Sequence, residues 1–162
     1  MSGEQITNTA INHDIKSKII EIGITKLNNK DIEIINSAKL IAGKGIEGDR
    51  FCLENNDERS QLSLIQSENI DYYNNKFNTN FSYIQFRRNL ITKDIELNDL
   101  VGKKLIIGDV NLAVHDLCRP CKHLQEKLGK DNIIKEFLRR GGLRCEILNS
   151  GTIVVGDSIK VL

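Results

Sequence analysis

Cys118 and Cys121 stand three residues apart at the end of an apolar run and enclose the chain's one proline, Pro120. A helical pattern begins directly after them. The fixed φ of proline suits a first helical turn, which predicts that Cys121 sits near a helix N-terminus beside unpaired N–H groups. A free thiol titrates near ~8.5, and such a position, with Arg119 and Lys122 alongside, favours the thiolate that attacks electrophiles and binds metals. The same spacing serves zinc ribbons, redox pairs and simple packed thiols. A zinc module would draw on Cys118, Cys121 and two of His115, His123 and Cys145, a set with no recognisable second spacing.

Two other stretches carry residues suited to anions. Gly43-Lys-Gly-Ile-Glu-Gly-Asp-Arg-Phe51 has three glycines in six residues, which allows backbone shapes that turn N–H groups toward a ligand. It matches neither a P-loop nor a dinucleotide fingerprint. Phe86-Arg-Arg-Asn-Leu-Ile-Thr92 reads as a strand, so Arg87 and Asn89 share one face and Arg88 takes the other. A guanidinium fork beside an amide suits a phosphate or carboxylate, and a surface salt bridge is the other use of the same residues.

The elements that must position these residues are short. At 162 residues the chain is the size of one domain, read here as a polar arm over 1–16 and a folded domain over 17–162. With 23 basic and 22 acidic side chains, no net field points to nucleic acid or an anionic membrane surface. No run nears the ~18 apolar residues of a membrane span. Four cysteines without a secretory leader suggest a reducing, cytoplasmic setting.

Alternation predicts strands over Ser17–Thr25, Ser37–Ala42, Gln61–Ile65 and Leu143–Leu148, and an exposed loop over Cys52–Arg59. Gly108-Asp109 should turn a hairpin within Lys104–Val114, and Gly156-Asp157 should repeat that design at the C-terminus. Helices are expected over Ser67–Asn75, capped by Ser67, over Cys121–Leu128, and over Asp131–Arg140, capped by Asp131 and ended by Gly141-Gly142. Many short strands with few helices give a mainly β fold, barrel-like, with helices packed on it.

Taken in order, Gly45-Ile-Glu-Gly-Asp-Arg50, Gln61-Leu-Ser-Leu-Ile65, Arg87-Arg-Asn-Leu-Ile-Thr92, Cys118-x-x-Cys121, Gly141-Gly-Leu-Arg144 and Gly151-Thr-Ile-Val-Val-Gly-Asp157 give a chain that resembles the MOSC domain over roughly 17–162. That family comprises the C-terminal domain of molybdenum-cofactor sulfurases, small stand-alone bacterial proteins and amidoxime-reducing enzymes. The resemblance implies a β-barrel that binds the pyranopterin molybdenum cofactor, with Cys121 as metal ligand, Cys118 beside it, and Arg87 with Asn89 lining the cofactor. Arg50, Ser60, Gln61, Arg119 and Arg144 are implied by their places near the motifs.

One loop departs from the family pattern, because Phe51 with Glu54, Asp57 and Glu58 replaces the basic or histidine-rich residues common there. The resemblance implies reduction of N-hydroxylated or N-oxide compounds, and no pyridoxal-phosphate site is expected in this chain. A persulfide sulfur carrier, with Cys121 loaded and Cys118 resolving, and a cofactor carrier are the alternatives. The larger relatives' covering domain is not expected here, so a homodimer, or a redox or cofactor-biosynthesis partner, is expected to close the site over a small-molecule substrate.

Overall fold

Isoleucine, leucine and valine at alternate positions give short strands with one face to bury, and a sheet built from them curls to bury that face. The computed structural model describes residues 16–162, so the arm expected over 1–16 lies, but for Lys16, outside the described residues. Eight strands form one sheet in the order β11 (Ile159–Val161), β7 (Lys104–Ile107), β8 (Val110–Leu117), β9 (Leu143–Ile147), β5 (Leu62–Gln66), β6 (Leu90–Lys93), β1 (Lys18–Ile24), β2 (Glu33–Ile35). Its two sides meet where Lys18 bridges Ser158, flanked by Ile19 N–H donating to Asp157 O at 3.0 Å and Ile159 N–H to Ser17 O at 2.9 Å. The sheet is therefore a barrel closed between β1 and the approach to β11. A smaller sheet, β10 (Gly151–Val154), β3 (Ser37–Ile41) and β4 (Gly45–Ile46), packs beside it.

The barrel interior is aliphatic, with Ile19, Ile22, Leu64, Leu90, Leu105 and Leu112 fully buried. β5 and β6 are buried on both faces, since Leu64 and Leu90 face that interior while Ile65 and Ile91 face a second core. These two strands run parallel, and parallel strands need a crossover that covers them. Helix α1 (Ser67–Phe77) makes that crossover and, with α2 (Lys122–Leu128) and α3 (Ile133–Glu136), encloses an aromatic cluster around Tyr73, Phe86 and Phe137. No described helix is long and apolar enough to cross a membrane.

Several local expectations need correction. The Gly108-Asp109 hairpin forms, with Ile107 opposite Val110. Its supposed copy does not, because β10 pairs with β3 and β11 with β7. At Gly156-Asp157 the chain changes sheets instead, and Gly156 N–H donates to Ile19 O at 2.8 Å where β1 docks against the corner. Gln66, not Ser67, is the N-cap of α1, and Ser67 is already helical and buried. The helix expected over 131–140 is the single turn Ile133–Glu136 with Asn132 at its start, followed by turns. Ile133 and Phe137 are buried, but Leu138, expected on the same face, is 53% exposed.

Gly141-Gly142 serves closeness of approach more than helix termination. A Cβ on Gly141 would lie 2.1 Å from Cys118 O, and one on Gly142 only 1.7 Å from Leu64 O with φ at +101°. The missing side chains let the cysteine loop settle directly on β5 and β9.

Candidate functional site

One end of the barrel opens into a cavity of about 320 Å3 where four loops converge. They are the corner after β4, the lead into β5, the link into β6 and the link from β8 to α2. The cysteine loop is anchored first. Cys118 N–H donates to Gly142 O at 2.7 Å, which places Cys118 in the wall, 5% exposed. Buried Pro120 then turns the chain, and Cys121 becomes the N-cap of α2, with Leu124 N–H aimed at its Sγ at 3.4 Å. Proline thus precedes the cap and does not sit in the first turn. The Cys121 thiol is exposed at the cavity.

The segment into β6 is not a strand where the two arginines lie. A 3-10 turn over Tyr83–Phe86 ends at Arg87, whose φ of 63° is left-handed, and β6 starts at Leu90. That break cancels the alternation expected from sequence, so Arg87, Arg88 and Asn89 all reach the cavity wall. Arg88 is buried, with Nε donating to Gly141 O at 2.9 Å and Nη1 to Phe86 O at 3.3 Å. Asn89 acts as a clamp. Its Oδ1 accepts from Ser63 N–H at 3.1 Å and Ser63 Oγ at 3.2 Å, while Nδ2 donates to Gly23 O at 3.1 Å.

The glycine-rich loop uses its amides internally. The N–H groups of Gly43, Lys44, Glu47, Asp49, Arg50 and Cys52 donate to carbonyls of neighbouring backbone, which leaves little for an anion. The loop's contribution is therefore a side chain. Asp49 accepts from Thr25 N–H at 2.8 Å and locks the corner, and burial pushes its carboxyl above the ordinary range despite those bonds. Arg50 follows, and its Nε is buried without a hydrogen-bond partner.

Five arginines, Arg50, Arg59, Arg87, Arg88 and Arg144, line this one cavity, and among the described residues none of them has a carboxylate within 4.0 Å. Asp49 is the single acidic residue of the lining. Burial, followed by the nearby Arg50 charge, holds the Arg87 pKa below the usual guanidinium value, with Asp31 opposing the shift. Like charges held together without counter-ions at a partly desolvated surface favour an anionic ligand.

Of the residues expected from sequence, Cys118, Cys121, Arg50, Ser60, Arg87, Asn89 and Arg144 come together here. Gln61 and Arg119 do not line the cavity. Gln61 is buried and structural, its Oε1 accepting from Ile147 N–H at 2.9 Å. Arg119 turns outward to Asp116, with Nη1 to Oδ2 at 3.1 Å and the guanidinium side chain 63% exposed. Sequence reasoning missed Arg59, hidden in an acidic loop, and placed Arg88 on the wrong face. His123 was weighed only as a zinc ligand, yet it lines the cavity next to the thiols.

The zinc set does not assemble, since among the described residues no group of three or more metal-binding side chains includes a cysteine. Cys145 is fully buried on β9, where burial pushes its thiol pKa strongly up. All four cysteines are free.

Comparison with known proteins agrees with this architecture. A family model described as MOSC domain matches residues 46–160. The fold is similar to the YuaD protein from Bacillus subtilis, with a TM-score of 0.78 at 17% identity over 90% of this chain and 95% of that one. It is also similar to YiiM from Geobacillus stearothermophilus, at 0.73 and 18% over 90% and 75% of the two chains, and to YiiM from Escherichia coli, at 0.69 and 16% over 90% and 69%. No curated protein sequence matches the chain.

Proposed function

Because this chain belongs to the MOSC domain family, which is associated with the molybdenum cofactor, we propose that it binds that cofactor in the arginine cavity with Cys121 as the thiol ligand of its metal. The observation that carries the proposal is the set of five cavity arginines without a carboxylate partner, one with a buried orphan Nε. A pterin phosphate fits that deficit. Arg50 and Arg87 supply charge-assisted hydrogen bonds to phosphate oxygens, and Arg88, fixed by two carbonyls, adds positive potential behind them. Asn89 holds the wall in place through Ser63 and Gly23 and does not carry the ligand itself.

The exposed Cys121 sulfur is a soft donor suited to a metal that already carries sulfur ligands. When bound, the cofactor would supply oxygen abstraction from N-hydroxylated and N-oxide substrates, the oxygen leaving as water with two electrons from a redox partner and two protons. His123, exposed on the first turn of α2 and lining the same cavity, is placed to exchange a proton with a substrate there. Phe51, in the cavity lining and 53% exposed, gives the rim an apolar contact for a second copy or a redox partner that would exclude water from the site.

A sulfur carrier remains the second reading, supported by an exposed Cys121 beside Cys118 in one cavity. Expression in a host that makes the cofactor tests both. Wild type should copurify with molybdenum and pterin, and Cys121→Ser should lose the metal while keeping the fold. A persulfide on Cys121 without molybdenum or pterin would reject the first reading in favour of the second.

A further inference from the structure

Outside the cavity, on the neighbouring rim, a second group of chemistry-bearing side chains comes together from three separate segments. Glu58 lies in the loop before β5, His115 on β8 and Glu146 on β9. His115 occupies the register shift between Val114 and Asp116, where the β8–β9 ladder bulges. A bulge re-aims a side chain that regular alternation would send elsewhere. Its Nε2 lies 2.8 Å from Glu146 Oε1 and 3.8 Å from Glu58 Oε2, and the three donor atoms all fall within 4.8 Å of one another.

These separations bracket the edge of about 3.4 Å between ligands that share a tetrahedral ion at Zn–N and Zn–O bond lengths near ~2.1 Å. The charge balance also favours a dication. Two carboxylates are gathered here, and among the described residues His115 is the only ion-pair partner of either. Lys44, Lys76 and Arg119 pair with other acids. The side chains are only partly covered, at 51% for Glu58, 24% for His115 and 30% for Glu146, so water can complete the coordination.

We infer that Glu58, His115 and Glu146 form a binding site for a divalent transition-metal ion, Zn2+ or a similar cation, on the barrel rim. An imidazole with two carboxylates suits ions of borderline softness better than Mg2+ or Ca2+, which take oxygen ligands. The consequence is structural reach into the neighbouring cavity. Glu58 is followed directly by Arg59 and Ser60, and Glu146 shares its strand face with Arg144. Arg144 Nη1 already donates to Arg59 O at 3.2 Å. An ion bound to Glu58 pins this loop to β8 and β9 and so fixes the position from which Arg59 enters the cavity.

The test is titration of the purified chain with Co2+, a spectroscopic stand-in for Zn2+, in wild type, Cys121→Ser, His115→Ala and Glu58→Gln. The expected result is one site per chain in wild type and Cys121→Ser, with d–d absorption and no sulfur-to-cobalt charge transfer. His115→Ala and Glu58→Gln should each weaken it at least about tenfold. Glu58 is on an exposed loop, so Glu58→Gln leaves the barrel folded even if His115→Ala disturbs the bulge. Zn2+ should raise the melting temperature of wild type and not that of Glu58→Gln. Cysteine charge-transfer bands, equal affinity in wild type and Glu58→Gln, or no binding at millimolar Co2+ would each overturn the site and leave a plain hydrogen-bonded cluster.

Discussion

On the helical flank, polar groups close to the aromatic core have found partners: the Tyr73 hydroxyl meets Asn132, the Tyr83 hydroxyl donates to Asp71 at 2.8 Å, and Lys76 pairs with Glu136 at 3.0 Å. Around them the rings pack closely, Phe86 and Phe137 with centroids 4.7 Å apart. At the barrel mouth the opposite holds, because five arginines line one cavity and, among the described residues, none has a carboxylate within 4.0 Å. Charges of one sign are ordinarily balanced nearby, so a cluster of guanidinium groups without counter-ions is a candidate site for an anionic ligand. Stability resides in the flank and the barrel interior, and unbalanced positive charge at the mouth.

Substitutions can separate the two regions, and the largest effect belongs to their joint. Gly141 touches Phe137 O on the flank side and Cys118 O on the cavity side, at 3.2 and 2.1 Å from an added Cβ. Gly141→Ala should therefore disturb both, lowering stability by at least about 3 kcal/mol in urea denaturation and abolishing ligand binding. Retained stability with retained binding would show that the joint is slack.

Phe86→Ala, which removes a side chain packed on the flank and leaves the carbonyl that Arg88 bonds, should cost ~3–5 kcal/mol of stability, while the folded fraction keeps its affinity for phosphate. Asn89→Ala tests the reverse assignment. Its amide meets Ser63 and Gly23, so its loss should appear mainly as ~1–3 kcal/mol of stability with ligand affinity changed only secondarily. A full loss of ligand binding at unchanged melting temperature would return Asn89 to the role the sequence suggested.

Strand positions were legible where alternation meets burial on one or both faces. β9 shows this clearly, as Leu143, Cys145 and Ile147 are buried while Arg144 and Glu146 are half-buried on the other face. The cysteine loop was legible in outline, since Cys121 does stand at a helix N-terminus, but Pro120 precedes the cap where its fixed φ suggested the first turn. Other features depended on partners distant in sequence. The C-terminal pair looks like the Gly108-Asp109 hairpin, but β3 and β7 capture its two strands separately. Arg87 in the left-handed region breaks the period at the point where the sequence looked most like a strand. Gln61 and Arg119 stand beside motifs and yet bond elsewhere, because nearness along the chain does not set side-chain direction. Arg59 gave no signal in its acidic loop until Arg144 bonded its carbonyl.

The most direct test is titration of the apo protein with molybdenum cofactor in wild type, Arg50→Ala, Arg87→Ala and Arg119→Ala. Loss of one charge-assisted hydrogen bond in a partly desolvated site costs ~1.5–3 kcal/mol, about ten- to a hundredfold in affinity. Arg50→Ala and Arg87→Ala should each lose that much without loss of stability, since each removes a charge that lacks a counter-ion. Arg119→Ala, which removes an exposed pair, should stay within about 1 kcal/mol of wild type. If Arg119→Ala were as damaging as Arg87→Ala, or if none of the three altered binding, the arginine cavity would not be the cofactor site.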